Sequence, residues 1–134
     1  MTASIVYLGE LRCEATHLQS NHIIETDAPS DNRGKGQKFS PTDLLCTALG
    51  TCIVTTMAIK AGDMGINIDG TKLEITKHMA AEPRRVAQVD VKIYLPALQE
   101  EKDKIILERV GQNCPVHKSL HPDVVINQEY HWGG

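Results

Sequence analysis

The sequence has few aromatic residues: one Trp, one Phe and three Tyr make up 4% of its 134 residues. It also lacks an excess of basic charge, with 14 Lys and Arg against 17 Asp and Glu and a formal net charge of −3. A nucleic-acid partner calls for cations against its phosphates and, for single strands, rings on which bases stack, so no nucleic-acid partner is expected. No C-x-x-C pair occurs among the four cysteines, Cys13, Cys46, Cys52 and Cys114, which lie 33, 6 and 62 residues apart. A zinc ribbon would show paired short spacings, and a secreted disulfide framework would be denser in a shorter chain. The start, MTASIVYLGELR, lacks the basic cluster and long apolar run of a secretory leader, so a cytoplasmic, reducing location is expected. The thiols are then catalytic, redox-sensing or merely buried.

What is present suits one folded domain over residues 1–134. Apolar residues are 41% and charged residues 23%, near the globular average, and a domain typically holds roughly 100–150 residues. Three short strands are read at Ser4–Leu8, Leu11–His17 and Ile23–Thr26, as an antiparallel meander. The segment Asp27–Lys38, DAPSDNRGKGQK, has turn formers and no hydrophobic periodicity, and reads as a functional loop or lid.

Ser40-Pro41-Thr42-Asp43 is a helix start. Ser is at the N-cap, Pro is at the first helical position, and an acidic residue sits three after the cap as in a capping box. The uncharged run LLCTALGTCIVTTMAI follows. It is short for a membrane span, holds four Thr and has no flanking basic clusters, so it is read as a core helix over 41–63, about 35 Å long. Leu45, Leu49, Cys52, Thr56 and Ile59 follow one face, and Thr47, Thr51 and Thr55 make a weakly polar stripe on another. A helix apolar nearly all round must be covered nearly all round, and a chain of this size can hardly do so alone. A second subunit is therefore expected to cover part of it. Gly50 would let a neighbouring backbone come close. Strands are then expected at Ile66–Ala80 and Val86–Leu95, a charged amphipathic helix at Glu100–Gln112, a turn or short helix at Asn113–His121, and a last strand at Val124–Tyr130. That order predicts an α+β fold with mostly antiparallel strands.

Among the candidates for chemistry, Cys52 lies inside the central helix and Cys114 precedes Pro115 after the second. A thiol attacks as thiolate, which a cation, a histidine or a helix N-terminus must favour. Cys52 is too far into the helix for the dipole to help, so a cation from elsewhere would be needed. A cysteine on an apolar helix is also commonly plain core. Cys114, His117 and His121 have spacings of three and four, which could hold a metal on one turn, but a fourth ligand is missing and no metal is expected. Arg33-Gly34-Lys35-Gly36 lacks a Walker spacing and reads as loop. Cys46 and Cys52 are about 240° apart around the helix, which disfavours a disulfide.

Together, Ser40-Pro41-Thr42-Asp43-Leu44-Leu45, then Ala48-Leu49-Gly50-Thr51-Cys52, and later Asn113-Cys114-Pro115-Val116 resemble the OsmC/Ohr family, osmotically inducible protein C and the organic hydroperoxide resistance proteins. The resemblance runs over nearly the whole chain. It implies an OsmC-like α+β fold with antiparallel sheets around a long central helix, in an intertwined homodimer. It further implies thiol-dependent reduction of organic hydroperoxides, with Cys52 peroxidatic and Cys114 resolving, an external dithiol or lipoyl-type reductant, and no cofactor. Leu45 and Leu49 are then expected to bind substrate. The family also uses an arginine from the early strands, clamped by a carboxylate at the helix start. Arg12 is the best match with Arg33 as fallback, and Asp43 is the nearby carboxylate, since Thr42 stands where the peroxidases carry Glu. The rival readings are a non-catalytic small-ligand-binding protein and a redox sensor on the same fold.

Overall fold

The computed structural model describes residues 1–133. The chain forms two compact units, Met1–Leu45 and Cys46–Gly134.

In the first unit, β1 (Ala3–Gly9), β2 (Arg12–His17) and β3 (Ile23–Asp27) form the expected antiparallel meander, in the order β1-β2-β3. The second strand starts at Arg12 because Glu10 and Leu11 both adopt positive φ, 53° and 65°. That pair makes a tight turn whose hand matches the strand twist. The loop after β3 is more ordered than its composition predicts. Pro29 O accepts the N–H groups of Asn32 and Gly34, both at 2.9 Å, around a short 3-10 turn at Ser30–Asn32. A Cβ at Gly34 would lie 1.7 Å from Ala28 O, so this fold of the loop requires glycine there.

α1 spans Pro41–Asp63, as the sequence predicts. Its start is a reciprocal capping box: Asp43 N–H donates to Ser40 Oγ at 3.0 Å, and Ser40 N–H donates to Asp43 Oδ2 at 3.0 Å. By length and composition α1 could cross a membrane. One face, however, Cys46, Leu49, Gly50, Ile53, Met57 and Ala61, is buried in protein, with the spacing of three and four expected of a core helix. The other side keeps Thr51, Thr55, Ala58 and Ile59 exposed.

In the second unit, β4 (Lys72–Ala81) and β5 (Arg84–Leu95) are antiparallel neighbours. β4 begins at Lys72 instead of Ile66, because Gly70, at φ 84°, sits in a turn closed by Thr71 N–H on Ile68 O. Then come α2 (Glu101–Gly111), α3 (Pro115–Ser119) and β6 (Val125–Trp132). β6 pairs parallel with β5, which the intervening helical crossover permits. The core gathers Leu49, Ile53 and Met57 of α1, alternate residues Val89, Val91, Ile93 and Leu95 of β5, and Leu107 of α2. Fully burying each large side chain contributes about 1.5–3 kcal/mol. Gly50 faces side chains and not backbone, since a Cβ there would stand 2.8 Å from Ile75 Cδ1.

Candidate active site

Cys52 lies a little over three turns into α1, beside the buried face that carries Leu49 and Ile53. Its side chain is half-buried, and its Sγ is 3.9 Å from Thr56 Oγ1, one turn on. Cys114 is fully buried. It is the N-cap of α3, accepting the His117 N–H on its sulfur at 3.5 Å, and Pro115 at the first helical position sets the backbone direction there.

The two thiols are neighbours although 62 residues separate them. Cys52 is near enough to Cys114 to raise its pKa, and both are free. Burial pushes the Cys114 thiol above its ordinary range, the His117 N–H opposes that, and the neighbouring Cys52 adds to it. Cys114 is therefore a protonated, water-excluded thiol held against a more accessible one. If Cys52 were oxidised to a sulfenic acid, Cys114 would be placed to condense with it.

Behind Cys114, α2 is fastened to β6. The indole of Trp132 donates to Glu108 Oε2 at 3.0 Å, the Tyr130 hydroxyl reaches Glu108 O at 3.3 Å, and Gln128 Nε2 reaches Gly111 O at 3.4 Å. These three residues alternate along β6 and so share one face. Burial foremost, with the charges of Glu108 and Cys114, drives the Tyr130 pKa up, so its hydroxyl stays protonated.

Within the first unit, Arg12 is the centre of a second polar cluster. Its Nε and Nη2 donate to the two oxygens of Asp27 at 2.7 and 2.9 Å, and Nη2 also donates to Gln37 Oε1 at 2.9 Å. Gln37 N–H donates to Asp27 Oδ2 at 3.1 Å. Asp27 is fully buried. The Arg12 guanidinium, followed by the Gln37 and Lys38 backbone N–H groups, lowers its pKa to about 2 against the opposing effect of burial.

The family model for OsmC-like proteins matches residues 34–129. This chain belongs to the OsmC-like family. A protein of Psychrobacter arcticus 273-4, named for an osmotic stress induced and detoxification response, is 49% identical, with a TM-score of 0.94 over 98% of this chain and 96% of that one. An OsmC-like protein of Mycoplasma pneumoniae, 18% identical, gives 0.81 over 98% and 96%. The organic hydroperoxide resistance protein OhrB of Bacillus subtilis, 17% identical, gives 0.68 over 97% and 98%. No curated protein sequence matches.

For this OsmC-like chain, the structure brings Cys52 and Cys114 together and departs from the other expected site residues. The carboxylate bonded to Arg12 is Asp27, not one at the helix start; Asp43 exchanges hydrogen bonds with Ser40 instead. Leu49 is 0% exposed, so it is a core residue with no face to offer a substrate, whereas Leu45 keeps 40% of its surface. Arg33 occupies the left-handed end of the 3-10 turn. His117 meets Cys114 through its backbone N–H, and among the described residues no group of three or more His, Cys, Asp or Glu side chains is arranged to hold a metal. Asp27, Gln37 and Tyr130 were not anticipated. The signal for Asp27 is its position opposite Arg12 in the β2–β3 register.

Proposed function

We propose that this OsmC-like protein reduces organic hydroperoxides through Cys52 and Cys114. Family membership supports a stress-response role, and the fold is shared with a protein named for organic hydroperoxide resistance. The observation that supports the finer reading is the half-buried Cys52 thiol as a neighbour of the buried Cys114 thiol.

The Cys52 thiolate attacks the O–O bond. The S–O bond forms, the alkoxide leaves and takes up a proton as an alcohol, and Cys52 becomes a sulfenic acid. The Cys114 thiol then displaces hydroxide from that sulfur; its proton completes a water molecule, and a Cys52–Cys114 disulfide remains. An external dithiol, of lipoyl type, attacks the disulfide and leaves oxidised itself, restoring both thiols. Arg12, tied to Asp27 and Gln37 within the first unit, is the arginine to which the family resemblance gives a role, and a guanidinium keeps its charge at every working pH.

The proposed assembly is a homodimer. Ile5, Ala15 and Ile24 are cross-strand partners on one face of the first sheet, with Tyr7, Cys13 and Thr26 beside them. Ile5 is 68% exposed and Tyr7 62%, and an open apolar face of this kind calls for a covering partner. The uncharged exposed side of α1 supports the same conclusion. The proposed location is the cytoplasm, where an external dithiol can keep the pair reduced.

The test is to treat reduced protein with one equivalent of cumene hydroperoxide and map its cysteines by mass after alkylation. A Cys52–Cys114 disulfide, and continued hydroperoxide consumption when dithiol is supplied, is the expected result. Two free thiols would instead favour a binding protein, and a disulfide without turnover a redox sensor.

A further inference from the structure

The Tyr130 hydroxyl occupies an unusual place for a strand residue. A Cβ at Gly111 would lie 2.5 Å from Tyr130 Oη and 2.9 Å from Met57 Sδ, so the phenol tip fills the space that a side chain at position 111 would need, between α1 and α2. From there its single proton is shared between the carbonyl of Glu108 and the amide oxygen of Gln128. Gln128 in turn reaches the carbonyl of Gly111. One β6 hydroxyl thus fixes, directly and through Gln128, two carbonyls in the last turn of α2.

That turn determines where Cys114 sits. Gly111 ends α2, Asn113 N–H closes back on Val110 O at 3.1 Å, and Asn113 Nδ2 donates to Arg109 O at 2.7 Å. Cys114 follows at once and begins α3. Two residues of tied-down backbone, Gln112 and Asn113, separate the phenol's anchor at Gly111 from Cys114. The Tyr130 hydroxyl also stands near enough to Cys114 for a thiolate there to raise the tyrosine's pKa.

We propose that Tyr130 is a positioning residue for Cys114: wedged at Gly111, its hydroxyl holds the end of α2 so that the Cys114 thiol stays in closing distance of Cys52. The inference rests on the proposed pairing of these two cysteines. It extends that pairing by naming what presets it, since effective concentration between two groups falls steeply when one of them is misplaced.

The experiment measures the equilibrium between the Cys52–Cys114 disulfide and dithiothreitol in wild-type protein and in Tyr130→Phe, which keeps the ring and removes the hydroxyl. Exchange is balanced, because each protein disulfide formed consumes one oxidised dithiothreitol and releases one reduced. In Tyr130→Phe the equilibrium constant for the protein disulfide is expected to fall about tenfold while the thermal midpoint moves by only a few degrees. Gln128→Met, which leaves the tyrosine ring packed and takes away the amide link to Gly111, is expected to lower it in the same direction, and serves if Tyr130→Phe does not fold. Unchanged constants in the folded variants, or a wild-type pair that stays open in oxidised dithiothreitol, overturn the inference. Hydroperoxide takes no part in this measurement, so a failure of the peroxidase reading shows separately, as a wild-type pair that closes in dithiothreitol but not with cumene hydroperoxide.

Discussion

The guanidinium of Arg12 and the carboxylate of Asp27 meet edge to edge, two nitrogens on two oxygens, from directly opposed positions on β2 and β3. A two-point contact fixes the plane of the arginine as well as its position, and Gln37 closes a third side. An arginine so held has little conformational freedom left.

The first prediction concerns acid. Asp27 has a folded pKa of about 2 against an ordinary 3.8. A carboxylate with a lowered folded pKa contributes stability that is complete above the unfolded value and is lost as pH falls through the folded one. Wild-type protein should therefore lose stability between about pH 4 and pH 2, and Asp27→Asn should be weaker at neutral pH with a flatter acid slope. Denaturant midpoints followed by circular dichroism across that range check it, and parallel slopes would contradict it.

The two thiols should behave differently in the reduced protein. Cys114 is fully buried and its pKa is raised by that burial. Its alkylation is expected to be about a hundredfold slower than that of half-buried Cys52 at pH 8, and to accelerate only above the ordinary thiol range. Peptide mass analysis over a pH series reads both rates; equal rates would show that Cys114 opens freely to solvent.

Substitution separates their chemical roles. Cys52→Ser is expected to abolish consumption of cumene hydroperoxide, while Cys114→Ser still consumes one equivalent and leaves a sulfenic acid on Cys52 that dimedone traps. Equal loss in both variants would contradict the assignment.

The two leucines first paired as substrate contacts should also diverge. Leu49→Ala opens a cavity in the core and is expected to cost about 2–5 kcal/mol of stability. Leu45→Ala, on an exposed position, should leave the melting temperature within a few degrees of wild type and act, if at all, on the KM for bulky hydroperoxides. Calorimetry and steady-state kinetics distinguish them.

Sedimentation should give twice the 14.8 kDa chain mass, and Ile5→Glu, which places a charge on the open apolar face, should shift the protein toward monomer. A monomeric wild type would remove the basis for the proposed assembly.

Much of this architecture is legible in the sequence because its strongest signals are local. Ser40-Pro41 and the residues after them announce α1, since a cap, a fixed φ and an acidic third position act within one turn. The sequence pattern makes the strand before Glu82-Pro83 too long, because Asp69-Gly70 carries a turn that interrupts it before Lys72. The clamp on Arg12 is not local: Asp27 becomes its partner through the register of two strands, and nothing in the composition of either strand states that register. Tyr130 is hidden for a related reason. Alternation along β6 shows that it faces inward, but the parallel pairing with β5 and the glycine at 111 decide what it meets there. The thiol pair was legible through family resemblance, since 62 residues of separation carry no geometric signal of contact.

The single tryptophan of the chain supplies a built-in optical probe. Trp132 is hydrogen-bonded through its indole to Glu108, one turn before the end of the helix that leads into Cys114. Any strain passed along that helix when Cys114 changes bonding state alters the surroundings of the indole. Emission from the unlabelled protein is therefore expected to report the proposed change in Cys114 bonding as it happens.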